Sequence, residues 1–296
     1  MDISTSELKA QAAIEKNEIS MIDWNHIWMI SLVASRDGHL ENSYEKEEAA
    51  EQYDRSEVAW LDGERRASAL VIDPSWSVLD IGAGPGTQAL PLAKRAKRVT
   101  AVEPSLAMVK RLERHIVEER LSNVRILPRK WEDLSPEDVG EHDVVIASYS
   151  LAFLDIREAL LKMDRLAKRR VYLYWFAGIP SWERIRMDLY PRIYGREHVL
   201  SPMSDVLYNL LYSLGIYADV QVQEKTEFPI AYNSIAEGIS DLRRALGLNT
   251  QEHNGMIRDY LESRGRQEGE KVMLEDDTVY VRVSWTTKGR LSSPCR

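Results

Sequence analysis

The chain predicts an α/β fold built on a mostly parallel sheet, and three features carry that prediction. Short apolar runs at 77–81, 98–102, 123–127, 143–148 and 170–176 are separated by helix-like stretches, the pattern of parallel strands joined by crossover helices. The first run ends in a glycine turn: residues 77–88 read S-V-L-D-I-G-A-G-P-G-T-Q, a strand, Gly82, Gly84 and Gly86, and then a helix. Glycine stands where the backbone must take positive φ or lie close to a ligand. The second run, Val99–Val102, carries Glu103 at its carboxyl end, about 20 residues after the turn, where an acid reaches ribose hydroxyls.

Taken in order, residues 1–20 read as a polar, frayed helix and residues 21–70 as helical, with Trp24, Ile27, Trp28 and Leu32 at helical spacing and a break near Gly38. Residues 1–70 are expected to form a helical cap on a main domain spanning 71–296. The helix after the glycine turn should run from Ala89 to Ala96. The basic clusters Lys94-Arg95, Lys97-Arg98 and Lys168-Arg169-Arg170 fall at predicted helix ends, where cations suit the dipole. Beyond the fifth strand, 179–214 reads as a helical insertion punctuated by Pro191, Gly195 and Pro202. Residues 218–227 and 278–286 alternate as strands do, the latter with Val279, Val281, Val283 and Trp285 on one face. The second insertion, 228–277, reads as two amphipathic helices, one with Ile235, Ile239, Leu242 and Leu246, the other with Met256, Ile257, Tyr260 and Leu261.

Composition narrows the function. A chain of 296 residues with 44% hydrophobic and 29% charged residues suits a soluble globular protein with a sizeable core. A net charge of −8 disfavours nucleic acid as the main partner. Cys295 is the only cysteine and the six histidines are scattered, so neither a disulfide framework nor a metal site is expected. No apolar stretch has the length of a membrane span, and the polar N-terminus lacks a signal core. A cytoplasmic protein, monomer or homodimer, is the expectation.

The glycine turn also limits the nucleotide. A dinucleotide fingerprint, G-x-G-x-x-G, needs glycine or alanine where Thr87 stands. Asp80 before the turn is poor company for a pyrophosphate and good company for an ammonium group. With these residues in hand, the chain resembles the class I S-adenosylmethionine (SAM)-dependent methyltransferases, which have a Rossmann-like fold. V-L-D-I-G-A-G-P-G-T and V-T-A-V-E-P-S look like the first two motifs of that family. N-V-R-I-L-P-R-K-W-E-D-L from Asn123 looks like its third strand and adenine loop, and D-V-V-I-A-S-Y-S-L-A-F-L from Asp143 like its fourth strand and the loop facing the methyl group. The resemblance covers roughly residues 45–178. It implies a seven-stranded sheet with one antiparallel strand and helices on both faces, in which the two late alternating runs form the antiparallel end.

The resemblance further implies SAM as cofactor and S-adenosylhomocysteine (SAH) as product. Asp80 would meet the ammonium and Glu103 the ribose. Gly82, Ala83, Gly84 and Gly86 would line the backbone cradle, with Pro104, Ser105 and Met108 behind Glu103. Lys130 stands where many relatives carry an adenine-contacting aspartate, and lysine cannot accept a hydrogen bond. Glu132 or backbone groups would replace it, while Trp131 either lines that loop or merely packs. Tyr53, in E-A-A-E-Q-Y-D, resembles a segment that covers the cofactor. Ser148 and Tyr149 would face the methyl group, and Tyr149 either handles the acceptor's proton or serves as a wall.

Trp24, His26, Trp28, Tyr44, Phe153, Trp182, Tyr190, Tyr194 and Tyr208 are further candidates for the acceptor's surroundings. His26 and His198 are base candidates by chemistry alone. The expected reaction is methyl transfer to a small or medium-sized molecule. A protein or nucleic-acid acceptor and a non-catalytic SAM-binding protein are the alternatives.

Overall fold

The computed structural model describes residues 22–37, 45–223 and 230–287, so the 1–20 helix, Tyr44 and residues 224–227 of the 218–227 run lie outside the described residues. Its centre is a seven-stranded sheet in the order β3-β2-β1-β4-β5-β10-β6. The strands are β1 (Ser77–Ile81), β2 (Arg98–Val102), β3 (Val124–Leu127), β4 (His142–Ser148), β5 (Ala167–Phe176), β6 (Asp219–Val222) and β10 (Tyr280–Thr286). The first five pair in parallel, and β10 runs antiparallel between β5 and β6. The fold is therefore the predicted Rossmann-like one, with strand order reversing between β1 and β4. That reversal opens a crevice at the strands' carboxyl ends.

Alternation along each strand divides the core in two. Leu79, Ile81, Val145, Ala147, Leu173 and Val283 pack with Trp28 and Leu207 on one face. Val78, Val144, Ile146, Val99, Ala101 and Tyr174 pack with Ala67, Leu90 and Leu112 on the other. The first face is covered by α1 (Trp24–Ser35), α7 (Ile156–Leu166) and α9 (Ser204–Ser213), the second by α3 (Glu57–Ser68), α4 (Ala89–Ala93) and α5 (Leu106–Glu118). Trp285 Nε1 donates to the buried Asp164 Oδ1 (2.9 Å), pinning β10 to α7.

The 1–70 boundary read from the sequence is not a boundary in the packing. Trp28 is fully buried in the main core, 5.6 Å from the Trp175 ring, and its Nε1 donates to the Phe153 carbonyl (3.0 Å). Helical spacing identified Trp28 as an inward residue but not which core it joins. Among the described residues of that segment, α2 (Glu47–Asp54) and α3 are the helices beside the glycine turn. Arg95 donates to the carbonyls of Ala67 (2.6 Å) and Leu70 (3.0 Å) at the end of α3. Asp54 joins α2 to α5 through Arg114 (2.6 Å) and His115 (2.7 Å). The helix after the glycine turn stops at Ala93, short of the predicted Ala96.

The second insertion differs from its reading as two helices. It contains those helices, α10 (Ile235–Ala245) and α11 (Asn254–Arg264), together with a small antiparallel sheet. That sheet joins β7 (Ile230–Tyr232), β9 (Lys271–Leu274) and β8 (Arg266–Glu268), in that order. Its strands have three or four residues, too few to show alternation. With Ile185 and Leu189 of α8 (Ser181–Tyr194), they enclose a third core of Tyr232, Leu242, Ile257, Leu261 and Val272. One short helix, α6 (Pro136–Val139), leads into β4. No helix among the described residues is long and apolar enough to cross a membrane.

Candidate functional site

The glycine turn lies at the crevice, and each glycine answers a different neighbour. Gly82 (φ +74°) lies under the loop after β4, where a Cβ would come 2.3 Å from Ser150 Cβ. Ser150 Oγ donates to the Ile81 carbonyl (2.6 Å), so the two loops are fastened together. A Cβ on Gly86 would meet Leu112 at 2.6 Å. Gly84 (φ +57°) faces open space, with no atom within 4 Å of where its Cβ would stand. The turn is thus packed at both ends and bare at its middle, a backbone cradle.

Acids stand on either side of it. Asp80 is the next residue after Val78 on the α3 side of β1 and is almost completely buried. Its Oδ2 has no hydrogen-bond partner. Burial pushes its pKa up to about 7, with Glu103 adding to the rise and the Arg66 guanidinium opposing it. Glu103 Oε2 accepts from Gly84 N (2.8 Å) and Oε1 from Ser105 N (2.8 Å). These amides oppose the upward push of burial on Glu103. A carboxylate has about four lone-pair sites, so each oxygen keeps capacity for a further donor. Behind it, Ser105 caps α5 by accepting from Met108 N (3.2 Å), and Met108 packs with Ala50 and Tyr53 under α2.

Two residues that the sequence reading missed enter here. Gln88 Oε1 accepts from Ser148 Oγ (2.6 Å), which leaves the buried Gln88 Nε2 unpartnered. Arg66 reaches in from α3, buried, anchored by Asp62 Oδ2 (2.9 Å), with its guanidinium 4.6 Å from the centre of the Tyr149 ring. A basic residue in the last turn of a helix reads as dipole compensation, so nothing in the sequence marked Arg66 as a site residue. An orphan acceptor at Asp80, an orphan donor at Gln88 and a buried cation together suit a ligand that carries an ammonium and a carboxylate.

Two further loops complete the rim. Lys130 and Glu132 are exposed in a tight turn closed by Asp133 N to the Lys130 carbonyl (3.2 Å). Trp131 is not on that rim. Its ring lies in the core, Nε1 donating to the Ala159 carbonyl (3.4 Å), with Lys162 Nζ 4.2 Å from the ring centre. Lys162 Nζ also donates to the carbonyls of Trp131 and Leu134, so the turn's backbone is held from below. Glu132 and Asp133 lie ahead of α6, whose N-cap is Ser135. Tyr53 is turned towards the glycine turn, hydrogen-bonded to Thr87, and burial raises its pKa. Gly63 of α3 lies so close that a Cβ would stand 2.4 Å from the Thr87 carbonyl oxygen.

The loop after β4 supplies the facing wall. Tyr149 holds a left-handed backbone (φ +55°), rare for a bulky side chain, and its N–H donates to the Tyr174 carbonyl (3.1 Å). Its ring stacks on Phe176 at 5.3 Å and touches Tyr280 at 5.4 Å, and Phe176 meets the edge of Trp182 at 5.1 Å. Burial carries the Tyr149 pKa far above the usual phenol value. The other candidates fall elsewhere. Trp28 and Phe153 are core, Trp24 packs on that core, Tyr208 is exposed, and His26 is exposed on α1. His198 is buried against Glu183 and the Tyr190 ring. Tyr190 donates to Asp37 Oδ2 (2.8 Å) and Tyr194 to the Leu246 carbonyl (2.6 Å).

Comparison with known proteins agrees with this geometry. Residues 78–170, from β1 into β5, match the family model described as a methyltransferase domain. An uncharacterized protein of Haemophilus influenzae is 30% identical over 189 residues, 64% of this chain and 69% of that one. The YcgJ protein of Bacillus subtilis superposes with a TM-score of 0.51 at 19% identity, over 77% of this chain and 98% of the other. A cyclopropane-fatty-acyl-phospholipid synthase-like protein of Lactobacillus casei gives 0.51 at 15% identity, over 77% and 90%. These two structures share the fold. The chain belongs to the class I SAM-dependent methyltransferase family, and its cofactor is SAM.

Proposed function

We propose that this chain transfers the methyl group of SAM to a nucleophile on a small or medium-sized molecule held against Tyr149, Phe176 and Trp182. The observation that carries the reading is this aromatic wall at the β4 and β5 ends, half enclosed by α3 and α8. Aromatic walls exclude water and hold flat or apolar groups. A nucleic-acid acceptor would call for an open basic groove, and the chain's charge of −8 does not favour one.

In this reading Asp80 takes the cofactor's ammonium, while Arg66 and Gln88 Nε2 take its carboxylate. Glu103 binds the ribose hydroxyls with its remaining lone pairs. Gly82, Ala83, Gly84 and Gly86 give the backbone cradle, Pro104, Ser105 and Met108 the bed behind the ribose, and Ser148 fixes Gln88. The turn from Lys130 through Trp131 to Glu132 offers backbone groups and the Glu132 carboxylate to the adenine. Tyr53 closes the site from α2. The cofactor, once bound, supplies a methyl carbon activated by its sulfonium. The protein's work is to align the acceptor, exclude water and leave the acceptor's proton a way out. Tyr149 does the first two. Burial favours its protonated phenol, and in this reading Tyr149 acts as a wall rather than as the base.

The test uses methyl-labelled SAM, the full chain and a cell extract separated by size. Label should pass into the small-molecule fraction, with release of SAH. Label confined to protein or RNA would overturn the proposed acceptor class, and absence of turnover alongside tight SAH binding would favour a non-catalytic SAM-binding protein.

A further inference from the structure

The aromatic wall does not end at the crevice. Trp182, whose edge meets Phe176, also lines a cleft of about 120 Å³ between α8 and the second insertion. Its walls are Trp182, Ile185, Tyr232, Leu242 and Leu246, with Arg186 beside them. All but Trp182 and Arg186 are buried, and Trp182 is 39% exposed. One aromatic ring therefore belongs both to the wall beside the transfer loop and to an apolar recess. The recess suits a short alkyl chain or a single ring and is too small for a nucleotide or a folded peptide.

The charge of the cleft is one-sided. Its carboxylate, Asp241, is occupied by Arg244 (2.5 Å) and by the Tyr232 hydroxyl (3.3 Å). Arg186 donates to the Ala245 carbonyl (3.3 Å), and no carboxylate among the described residues is within ion-pair distance of it. A second cation, Arg36, lies close enough to feel its charge, and the neighbouring Glu183 is held by His198 and by Ser201 (2.8 Å). A guanidinium has a fork of donors matched to a carboxylate. Arg186 stands one helical turn from Trp182, so a ligand lying on the Trp182 ring would bring its end to the Arg186 guanidinium.

We infer that this cleft is a second subsite for the methyl acceptor, and that the acceptor is an amphipathic organic acid. Its nucleophile lies at Tyr149 and Phe176, its apolar body crosses Trp182 into the cleft, and its carboxylate meets Arg186. This assignment rests on the methyl-transfer reading above.

The test titrates the full chain, saturated with SAH, with 4-phenylbutyrate, 4-phenylbutanol and butyrate. Calorimetry gives affinities, and the indole N–H resonance of Trp182, assigned with Trp182→Phe, reports the place. Phenylbutyrate should bind and shift that resonance, with the alcohol and butyrate each about tenfold weaker or more. Arg186→Gln should erase the advantage of acid over alcohol, and Leu246→Trp should fill the cleft and remove both. Both variants should bind SAH as the wild type does. Three results would overturn the proposal: no binding of phenylbutyrate to the wild type, an unchanged preference in Arg186→Gln, or ligand-induced dimerisation as the source of the Trp182 shift. Arg186→Gln is a substitution at a half-exposed position, so the proposal stays testable if Leu246→Trp misfolds. Failure of the wild type to bind SAH would instead overturn the methyl-transfer reading.

Discussion

Asp80 sets function against stability at a single carboxyl. Burial raises its folded pKa from 3.8 to about 7, so between those values the folded protein holds a proton that the unfolded chain has released. Its contribution to stability therefore falls as pH rises from about 4 to about 7. A cofactor ammonium favours the ionised form, so SAH should bind more tightly as pH rises from 6 to 8. Asp80→Asn should weaken SAH binding and flatten that pH profile. In the ligand-free protein at pH 8 it should raise Tm, by about 2–4 °C for each kcal/mol of desolvation relieved. Calorimetric titration and thermal unfolding check the two effects. A pH profile in Asp80→Asn as steep as the wild type's would place the titrating group elsewhere. Tyr149 makes the second prediction at this scale. As a wall, Tyr149→Phe should keep kcat within about tenfold, while Tyr149→Ala should lose about 10²-fold through misplacement of the acceptor. A fall of about 10²–10⁴ in the Phe variant would return the hydroxyl to the chemistry. That Asp80, Glu103 and Tyr149 would lie at the crevice was legible because strand ends define it. Arg66 and Gln88 were not, because each gains its meaning only from what the fold brings opposite it.

The helix covering the glycine turn is held by a contact that one atom would break. Gly63 sits inside α3 with the Thr87 carbonyl oxygen 2.4 Å from where a Cβ would stand. Backbone is on the receiving side, so relief requires α3 to move. Alanine is the better helix former by about 1 kcal/mol, so propensity and packing oppose each other at this position. Gly63→Ala should lower Tm and weaken SAH binding, since α3 carries Arg66. Gly255 in α11 provides the control, because a Cβ there meets nothing within 4 Å. Gly255→Ala should leave SAH binding unchanged and stabilise by about 0.5–1 kcal/mol. Equal effects of the two substitutions would mean that α3 is not seated on the loop. Elements of this length were legible in the sequence, since α10 and α11 each carry a full apolar stripe. The sheet of β7, β9 and β8 was not. Strands such as Arg266–Glu268, exposed throughout, have no buried face for a pattern to record.

At the scale of the molecule, the two cores that clasp the seven-stranded sheet contain none of the described residues of the second insertion. The insertion's own core meets the rest of the chain through α8, at Ile185, Leu189 and Tyr190. The sequence showed this only as a long connection, which is more often functional than structural; that it is a separate core on one borrowed helix is a tertiary fact. The strands flanking it are already neighbours, with Val222 opposite Val281 and Gln223 N donating to the Tyr280 carbonyl (2.8 Å). A short glycine-serine linker from Gln223 to Asp276 can therefore replace residues 224–275 while leaving Asp276 and Thr278 on Ser181 (2.6 and 3.0 Å). Excision bares the apolar face of α8, so Ile185→Gln and Leu189→Gln belong in the same variant to prevent association through it. That protein should unfold cooperatively and bind SAH within about threefold of the full chain, since none of the residues assigned to the cofactor lies in the insertion. It should lose methylation of the acceptor together with the cleft. Calorimetric titration with SAH, followed by transfer of labelled methyl to the extract fraction that the full chain modifies, separates the two functions. A tenfold or greater loss of SAH affinity in a cooperatively folded variant would make the insertion part of the cofactor site, and retained methylation would free the acceptor from the cleft.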